Sequence, residues 1–394
     1  MGRVTKPSKA TKFNAHTLKK LQAAFALDPE VDLTSKLPSD YSSRLDSWRS
    51  RKADGDTENG KCYFCFRPIF LNPNLLDTVA PVRPHEEDIR ASLDASASVE
   101  TIYPLSKVVL DLLEEVSRNS GSSSDSFSER LIGMIQASEI LWRGPSSRRK
   151  MVFKCNDCIV LKAVRYMTDF TEYTTLQYLR QRRPAIPIPD PLGLLRLNDI
   201  VLIFMSYQPG DTLTNVWPTL DKVQKASIQE QLNKTLTDLR SLPFTPGTQL
   251  GGIGGEGCKD VRRHLRRSDQ PITTIDEFEQ FLFKGYRSGG DAFVSFMHEL
   301  RPPASSCRIV FTHGDLRPDN ITVKMAGDHG YVVTGLIDWE YSGFYPEYYE
   351  AAKFTNCLSP YEEDDWYLFL PDCVSPKRYA HWWLLDRVRE TRVV

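Results

Sequence analysis

Three oxygen-bearing side chains stand where an antiparallel hairpin would gather them. The stretch Phe311-Thr-His313-Gly-Asp315-Leu-Arg317-Pro-Asp-Asn320-Ile-Thr-Val323 leads, after a turn, into Tyr331-Val-Val-Thr-Gly-Leu-Ile337-Asp338-Trp339-Glu340. The alternating runs Ile321 to Lys324 and Tyr331 to Ile337 flank the turn formers Ala326-Gly-Asp-His-Gly330, so the pattern predicts a hairpin. Asn320 lies just before its first strand and Asp338 just after its second, which makes the two neighbours in space. A carboxylate and an amide oxygen held together suit Mg²⁺, which takes its remaining ligands from phosphates and water. Asp315, on the same loop as Asn320, can orient an attacking hydroxyl and accept its proton. Transfer of a γ-phosphoryl group needs in-line positioning and positive charge more than covalent help, and these residue types supply the metal-binding and positioning parts.

The elements that must position them fall into two groups. Met151-Val-Phe-Lys and Cys158-Ile-Val-Leu-Lys162-Ala-Val164 are short β-rich runs joined by the turn Asn156-Asp157. A helix is expected from Asp169 to Arg182, stopped by Pro184, then an extended Pro-rich connector to Pro191. Ile200-Val-Leu-Ile-Phe-Met205 reads as a buried strand. Beyond Gly210, Ile228, Leu232, Leu236 and Leu239 form a helical stripe within 220–242. The expected fold class is therefore α+β: a small β-rich lobe over 129–207 and a larger, mainly helical lobe over 208–394. Residues 1–128 form an N-terminal extension with a short helix near His16 to Leu27. A second helix over 105–116 has the apolar face Leu105, Val108, Val109, Leu112, Leu113 and Val116, and a Ser-rich linker follows over 117–128.

On the residues just quoted, the sequence resembles the aminoglycoside phosphotransferase and choline kinase-like family. His313-x-Asp315-x-x-x-x-Asn320 followed by Ile337-Asp338-Trp339-Glu340 is similar to its catalytic loop and metal motif. The continuation Gly343-Phe-Tyr-Pro346-Glu347-Tyr-Tyr-Glu350 resembles its fungal branch, and the likeness spans about 140–385. The resemblance implies a bilobal protein-kinase-like fold and an ATP- and Mg²⁺-dependent phosphotransferase acting on a hydroxyl of a small molecule. It implies Asp315 as catalytic base, Asn320 and Asp338 as Mg²⁺ ligands, and His313 as a brace of the loop. Lys162 would hold the α- and β-phosphates with Glu172 as its ion-pair partner, and Met205, Ser206 and Tyr207 would offer backbone groups to adenine. Two features depart from the family: Ser206 stands where an acidic residue is common, and Trp142-Arg-Gly144-Pro-Ser-Ser-Arg-Arg has a single glycine where a nucleotide loop is expected. Arg317 is either a charge clamp on the γ-phosphate or a solvent-facing side chain.

Bulk composition, about two fifths hydrophobic and a quarter charged, reads as an ordinary soluble globular protein. Fifty basic against fifty-one acidic side chains point to neither nucleic acid nor an anionic membrane, and no apolar run approaches membrane-spanning length. Eight cysteines and no secretory signal place the chain in a reducing interior, the cytoplasm; a basic stretch before Asp28 makes mitochondrial import the minor alternative. Cys62-x-x-Cys65 and Cys155-x-x-Cys158 have zinc-pair spacing, although the second simply brackets a hairpin turn. Gly251-Gly-Ile-Gly-Gly255 follows a helix rather than a strand, so a plain loop is expected. The acidic residues Glu347, Glu350, Glu362, Glu363, Asp364 and Asp365 would suit a cationic acceptor if they faced the cleft. The rival to an enzyme is a catalytically inactive, kinase-shaped binding module whose N-terminal region recruits a protein partner.

Overall fold

The structure is a computed structural model that describes residues 9–28, 31–38, 40–41, 88–120, 126–144, 150–260, 265–283, 290–303, 307–327, 330–356, 358 and 364–392. Two compact units divide at Cys65 and Phe66. The first carries helix α1 (Lys9–Leu27), where Phe13 stacks on Tyr41 and the Tyr41 hydroxyl donates to Asn14.

The second unit begins with an antiparallel six-stranded sheet in the order β1-β5-β6-β4-β3-β2. Its strands are β1 (Val99–Tyr103), β2 (Glu139–Arg143), β3 (Lys150–Lys154), β4 (Ile159–Arg165), β5 (Pro191–Leu197) and β6 (Ile200–Ser206). The turn between β3 and β4 is built as expected, with Asn156 Oδ1 accepting from the N–H groups of Cys158 and Ile159. Two faces of the sheet are buried, which is why β4 and β6 read as continuous apolar runs. Leu161, Ala163, Leu202 and Phe204 pack on one side with Val109 and Leu113 of α2 (Lys107–Ser120) and Leu131 and Ile135 of α3 (Phe127–Ala137). Val160, Val201, Ile203 and Met205 pack on the other with Leu176 and Leu179 of α4 (Thr171–Arg182). The two-residue period of a strand puts Lys162 on the side of Val160, toward α4.

Two expectations need correcting. β1 and α2, assigned from sequence to an N-terminal extension, are built into this sheet and its core. On α2 it is Val109 and Leu113 that are buried, while Val108 is half exposed. The strand β5 was also not expected; its proline stands at the first position, where no ladder hydrogen bond is lost.

The larger lobe is arranged around α5 (Lys222–Arg240), capped by Asp221 and Gln224 and burying Ile228, Leu232, Leu236 and Leu239 as the stripe predicts. Small strand pairs surround it: β7 (Asp211–Thr212), β8 (Lys259–Asp260) with β9 (Arg266–Arg267), and β10 (Ile309–Thr312) with β13 (Gly343–Pro346). The expected hairpin is present as β11 (Ile321–Ala326) and β12 (Gly330–Leu336), with β7 on its free edge. Helices α6 (Ile275–Phe283), α7 (Asp291–Glu299), α8 (Tyr349–Phe354) and α9 (Ala380–Arg392) complete the lobe. One core runs on from Leu176 and Met205 to Trp217, Phe311, Leu316 and Trp339, so the two lobes share apolar packing behind the hairpin. No described helix is long and apolar enough to cross a membrane.

Candidate active site

At the open end of the hairpin the ladder continues by one bond: the Ile337 N–H donates to the Asn320 carbonyl at 3.0 Å. This pairing sets Asn320 beside the start of Ile337-Asp338-Trp339-Glu340. The Asn320 amide nitrogen donates to the Asp315 carbonyl (2.7 Å) and to Asp315 Oδ2 (3.3 Å), which turns the acceptor end of the amide away from Asp315. Asp338 has φ +66, in the left-handed region where aspartate is among the few tolerated side chains. Its Oδ1 meets Lys162 Nζ at 2.5 Å.

Lys162 is the charge centre of the site. It donates to Glu172 Oε2 at 2.7 Å and lies 3.6 Å from Glu340 Oε2, with its side chain only 8% exposed. Burial acts against its charge, but Asp338, Glu172 and Glu340 outweigh burial and hold its pKa above the usual lysine range. Lys150 of β3 also pairs with Glu340. Burial would raise the Glu340 carboxyl; Lys162 and Lys150 together hold it well below the ordinary carboxylate range. Three carboxylates thus share two ammonium groups, which leaves the cluster one negative charge in excess. A divalent cation is favoured at such a point. Among the described residues no group of three His, Cys, Asp or Glu forms an all-protein cage, and Cys155 and Cys158 are free thiols. The Asn320 amide oxygen with the Asp338 carboxylate is the donor set that fits Mg²⁺, an ion content with one or two protein ligands. Cys62 and Cys65 lie outside the described residues.

The loop is braced from behind. His313 is buried against Trp339, with ring centroids 4.3 Å apart. Its Nε2 donates to the Ile337 carbonyl (3.1 Å) and its Nδ1 accepts from the Asp315 N–H (3.3 Å). Burial lowers its pKa to about 4, so the ring is neutral and serves to join the two halves of the motif. Gly314 has φ +86, and a Cβ there would stand 2.4 Å from the Tyr341 carbonyl oxygen. Glu350 of α8 accepts from the N–H groups of His313 (2.6 Å) and Gly314 (3.1 Å). Arg317 Nε lies 3.7 Å from Asp315 Oδ2 and 3.9 Å from Asp319 Oδ2.

Lys259 of β8 makes a further tie. Its fully buried ammonium reaches Asp169 Oδ2 (2.8 Å), Thr171 Oγ1 (2.7 Å) and the Glu340 carbonyl (2.5 Å). It therefore fastens the start of α4, which carries Glu172, to the segment that carries Asp338. Asp169 in turn accepts from the Thr171 N–H and hydroxyl.

The structure brings together Lys162, Glu172 and Asp338, and places Asn320 and Asp315 on one another. Met205 lies next to the end of β6, opposite Val160, but the N–H of Ser206 donates to the Asp190 carbonyl and that of Tyr207 to the Cys158 carbonyl, so neither N–H is available to adenine. All four described acidic residues singled out for a cationic acceptor are engaged elsewhere: Glu350 on the loop backbone, Asp365 with Lys225 and Trp217, Glu347 with Arg308 and Arg240, and Asp364 as a cap on Trp366. Glu362 and Glu363 lie outside the described residues, as does part of the expected nucleotide loop, 145–149. Gly251-Gly-Ile-Gly-Gly255 is a loop whose first residue bridges Phe344. Lys150, Lys259 and the inward turn of Glu350 were not anticipated. Only Lys150 left a signal, since it alternates with Val152, the partner of Lys162 across β3 and β4.

The family model for phosphotransferase enzymes, APH, matches residues 166–369, just over half of the chain. The chain belongs to the phosphotransferase enzyme family. Among solved structures, the aminoglycoside-3'-phosphotransferase of type VIII is 18% identical over 71% of this chain and 92% of its own, with a TM-score of 0.41. The aminoglycoside phosphotransferase APH(3'')-Id from Streptomyces rimosus is 14% identical, covering 72% of this chain and 98% of its own at a TM-score of 0.39. The streptomycin–ATP complex of APH(2")-IIa is 13% identical over 72% and 90%, with a TM-score of 0.37. No curated protein matches by sequence. The matched span of this phosphotransferase takes in α4 and the whole of the hairpin with its flanking Asp315, Asn320 and Asp338. Strand β4, which carries Lys162, lies just ahead of it. This member of the phosphotransferase enzyme family thus has a small antiparallel-sheet lobe and a larger helical one.

Proposed function

We propose that this phosphotransferase moves the γ-phosphoryl group of ATP, with Mg²⁺, to a hydroxyl of a small molecule. The observation that carries the reading is the meeting of Lys162 with Asp338 and Glu172, a lysine of the small lobe joined to the hairpin of the large one. Glu172 fixes the Lys162 ammonium so that it can receive the α- and β-phosphates. Asn320 and Asp338 would hold the metal, whose positive charge would offset the negative charge on the transferring phosphoryl oxygens. Asp315 accepts the proton of the attacking hydroxyl and is kept in place by Asn320 and by the His313 brace. Arg317, 3.7 Å from Asp315, would clamp the charge of the same phosphoryl group. The acceptor is an aminoglycoside, an amino alcohol or another hydroxylated metabolite. An ADP-release assay across a panel of those compounds tests the reading. ATP-dependent turnover of at least one compound, abolished by chelating Mg²⁺, is the expected result.

A second reading rests on the N–H groups of Ser206 and Tyr207, which are engaged by the Asp190 and Cys158 carbonyls. This would suit a kinase-shaped binding module that no longer turns over nucleotide. Thermal stabilisation by Mg²⁺–ATP without phosphate consumption on the whole panel would favour it over the enzyme.

A further inference from the structure

A second lysine stands beside Lys162. Lys150, the first residue of β3, lies opposite Val164 of β4, and Val152 lies opposite Lys162. Cross-strand partners share a face and faces alternate along a strand, so Lys150 and Lys162 project from the same side of the sheet. The Lys150 ammonium pairs with Glu340 Oε2, the same oxygen that lies 3.6 Å from Lys162 Nζ. Two ammonium groups from adjacent strands therefore converge on one carboxylate oxygen, two residues from Asp338. A lysine at a strand end is ordinarily solvated, whereas this side chain is 19% exposed. Its backbone is fixed as well, the Lys150 carbonyl accepting from the Gly144 N–H at 2.9 Å.

The order of residues along β4 says which part of a nucleotide Lys150 would meet. Ile159 and Val160 lie opposite Ser206 and Met205, the end that the family resemblance gives to adenine. Lys162, which would receive the α- and β-phosphates, comes next. Val164, the partner of Lys150, lies two residues further on, roughly 7 Å along the strand. A nucleotide laid from the Met205 end past Lys162 brings its last phosphate to Lys150. Charge argues the same way. Lys162 matches Glu172 and Asp338 would turn to the metal, so Glu340 alone would face the γ-phosphate as a like charge. Lys150 cancels that repulsion, and an ammonium with three N–H donors, one of them given to Glu340, keeps others for phosphate oxygens.

We propose that Lys150 is a second phosphate-binding residue, its ammonium bridging Glu340 and the terminal phosphoryl oxygens of ATP, so that it reads the γ-phosphate while Lys162 reads the α- and β-phosphates. This role rests on the phosphotransferase reading above, and its test needs no acceptor. Isothermal titration is carried out on the full chain with Mg²⁺–ADP and with the Mg²⁺ complex of the imido analogue of ATP, which is not hydrolysed. Wild type, Lys150→Met and Lys150→Arg are compared. In Lys150→Met the triphosphate should bind about tenfold or more weakly, the loss of one charge-assisted hydrogen bond, while ADP stays within about twofold of wild type. Lys150→Arg should regain most of the triphosphate affinity. Retained ADP binding also shows that the variant is folded, which circular dichroism checks separately. The role of Lys150 is overturned if the Met variant binds the triphosphate as the wild type does, or if ADP binding falls in parallel, as it would were the Lys150–Glu340 pair only a clasp between the strand and the loop. A wild type that binds neither nucleotide overturns the phosphotransferase reading itself, and this role with it.

Discussion

Lys162 Nζ lies 2.5 Å from Asp338 Oδ1, across 176 residues of chain and from one lobe to the other. With Glu172 and Glu340 on the same ammonium, the contact is the electrostatic hub of the site. Replacing Lys162 by Met should leave these carboxylates to repel one another, with only Lys150 to balance them. Removing one partner of a buried ion pair typically destabilises by about 3–5 kcal/mol. We expect the Lys162→Met variant to unfold at a clearly lower urea concentration and to lose its thermal stabilisation by Mg²⁺–ADP. An unchanged nucleotide-dependent shift would remove Lys162 from the phosphate site.

Titration of the loop brace should appear as a pH dependence of stability. Burial lowers the His313 pKa from 6.5 to about 4, so between those values the unfolded chain binds a proton that the native ring refuses. The contribution of His313 is therefore complete above pH 6.5 and is lost as pH falls toward 4, by about 3 kcal/mol in all. Glu350 works in the other direction: burial raises its pKa from 4.5 to about 7, which favours the native state at low pH and is lost as pH rises through that window. A His313→Gln variant should be less stable than wild type at pH 7.5, and the gap should narrow by pH 4.5. Denaturant midpoints across that range measure it; a constant gap would mean that the ring is not held neutral.

The hairpin and its flanking residues could be read from sequence because they depend on local signals. Alternation over Ile321 to Lys324 and Tyr331 to Ile337, with a turn between, sets Asn320 opposite Ile337, the neighbour of Asp338. Lys162 and Glu172 were legible for a similar reason, a strand followed by a helix with one charge on each. The true edge of the sheet was not legible. Val99–Tyr103 is short and half polar, and it becomes a strand only by pairing with β5, itself obscured by Pro191 and Gly193. Lys259 was hidden in another way: nothing near it in sequence reports that Asp169 and Glu340 will surround it. Glu350 carried a carboxylate into a string of acidic residues, and only the packing of α8 shows that it faces inward to the loop.

Lys259 should act as a positioning residue. Its ammonium holds the Glu340 carbonyl, Thr171 and Asp169 together, and Arg267, 3.0 Å from Asp169, can compensate only one of the three. A Lys259→Met variant should lose roughly 3 kcal/mol of stability. Once an acceptor is known, it should also show a lower kcat with little change in the KM for ATP, because the segment bearing Asp338 would shift. A KM effect alone would point to a merely structural lysine.

Asp315→Asn gives the most direct test of the chemistry. The substitution keeps the size of the side chain and the backbone carbonyl that accepts from Asn320 at 2.7 Å, so the loop should retain its shape. What it removes is the carboxylate proposed to take the hydroxyl proton. General-base catalysis of this kind is worth about 10²–10⁴ in rate. Turnover should therefore fall by that factor, while Mg²⁺–ADP binding, proposed to rest on Lys162, Asn320 and Asp338, should stay within a few-fold of wild type. Retained turnover would show that another group accepts the proton, whereas loss of nucleotide binding together with turnover would show that Asp315 shapes the metal site instead.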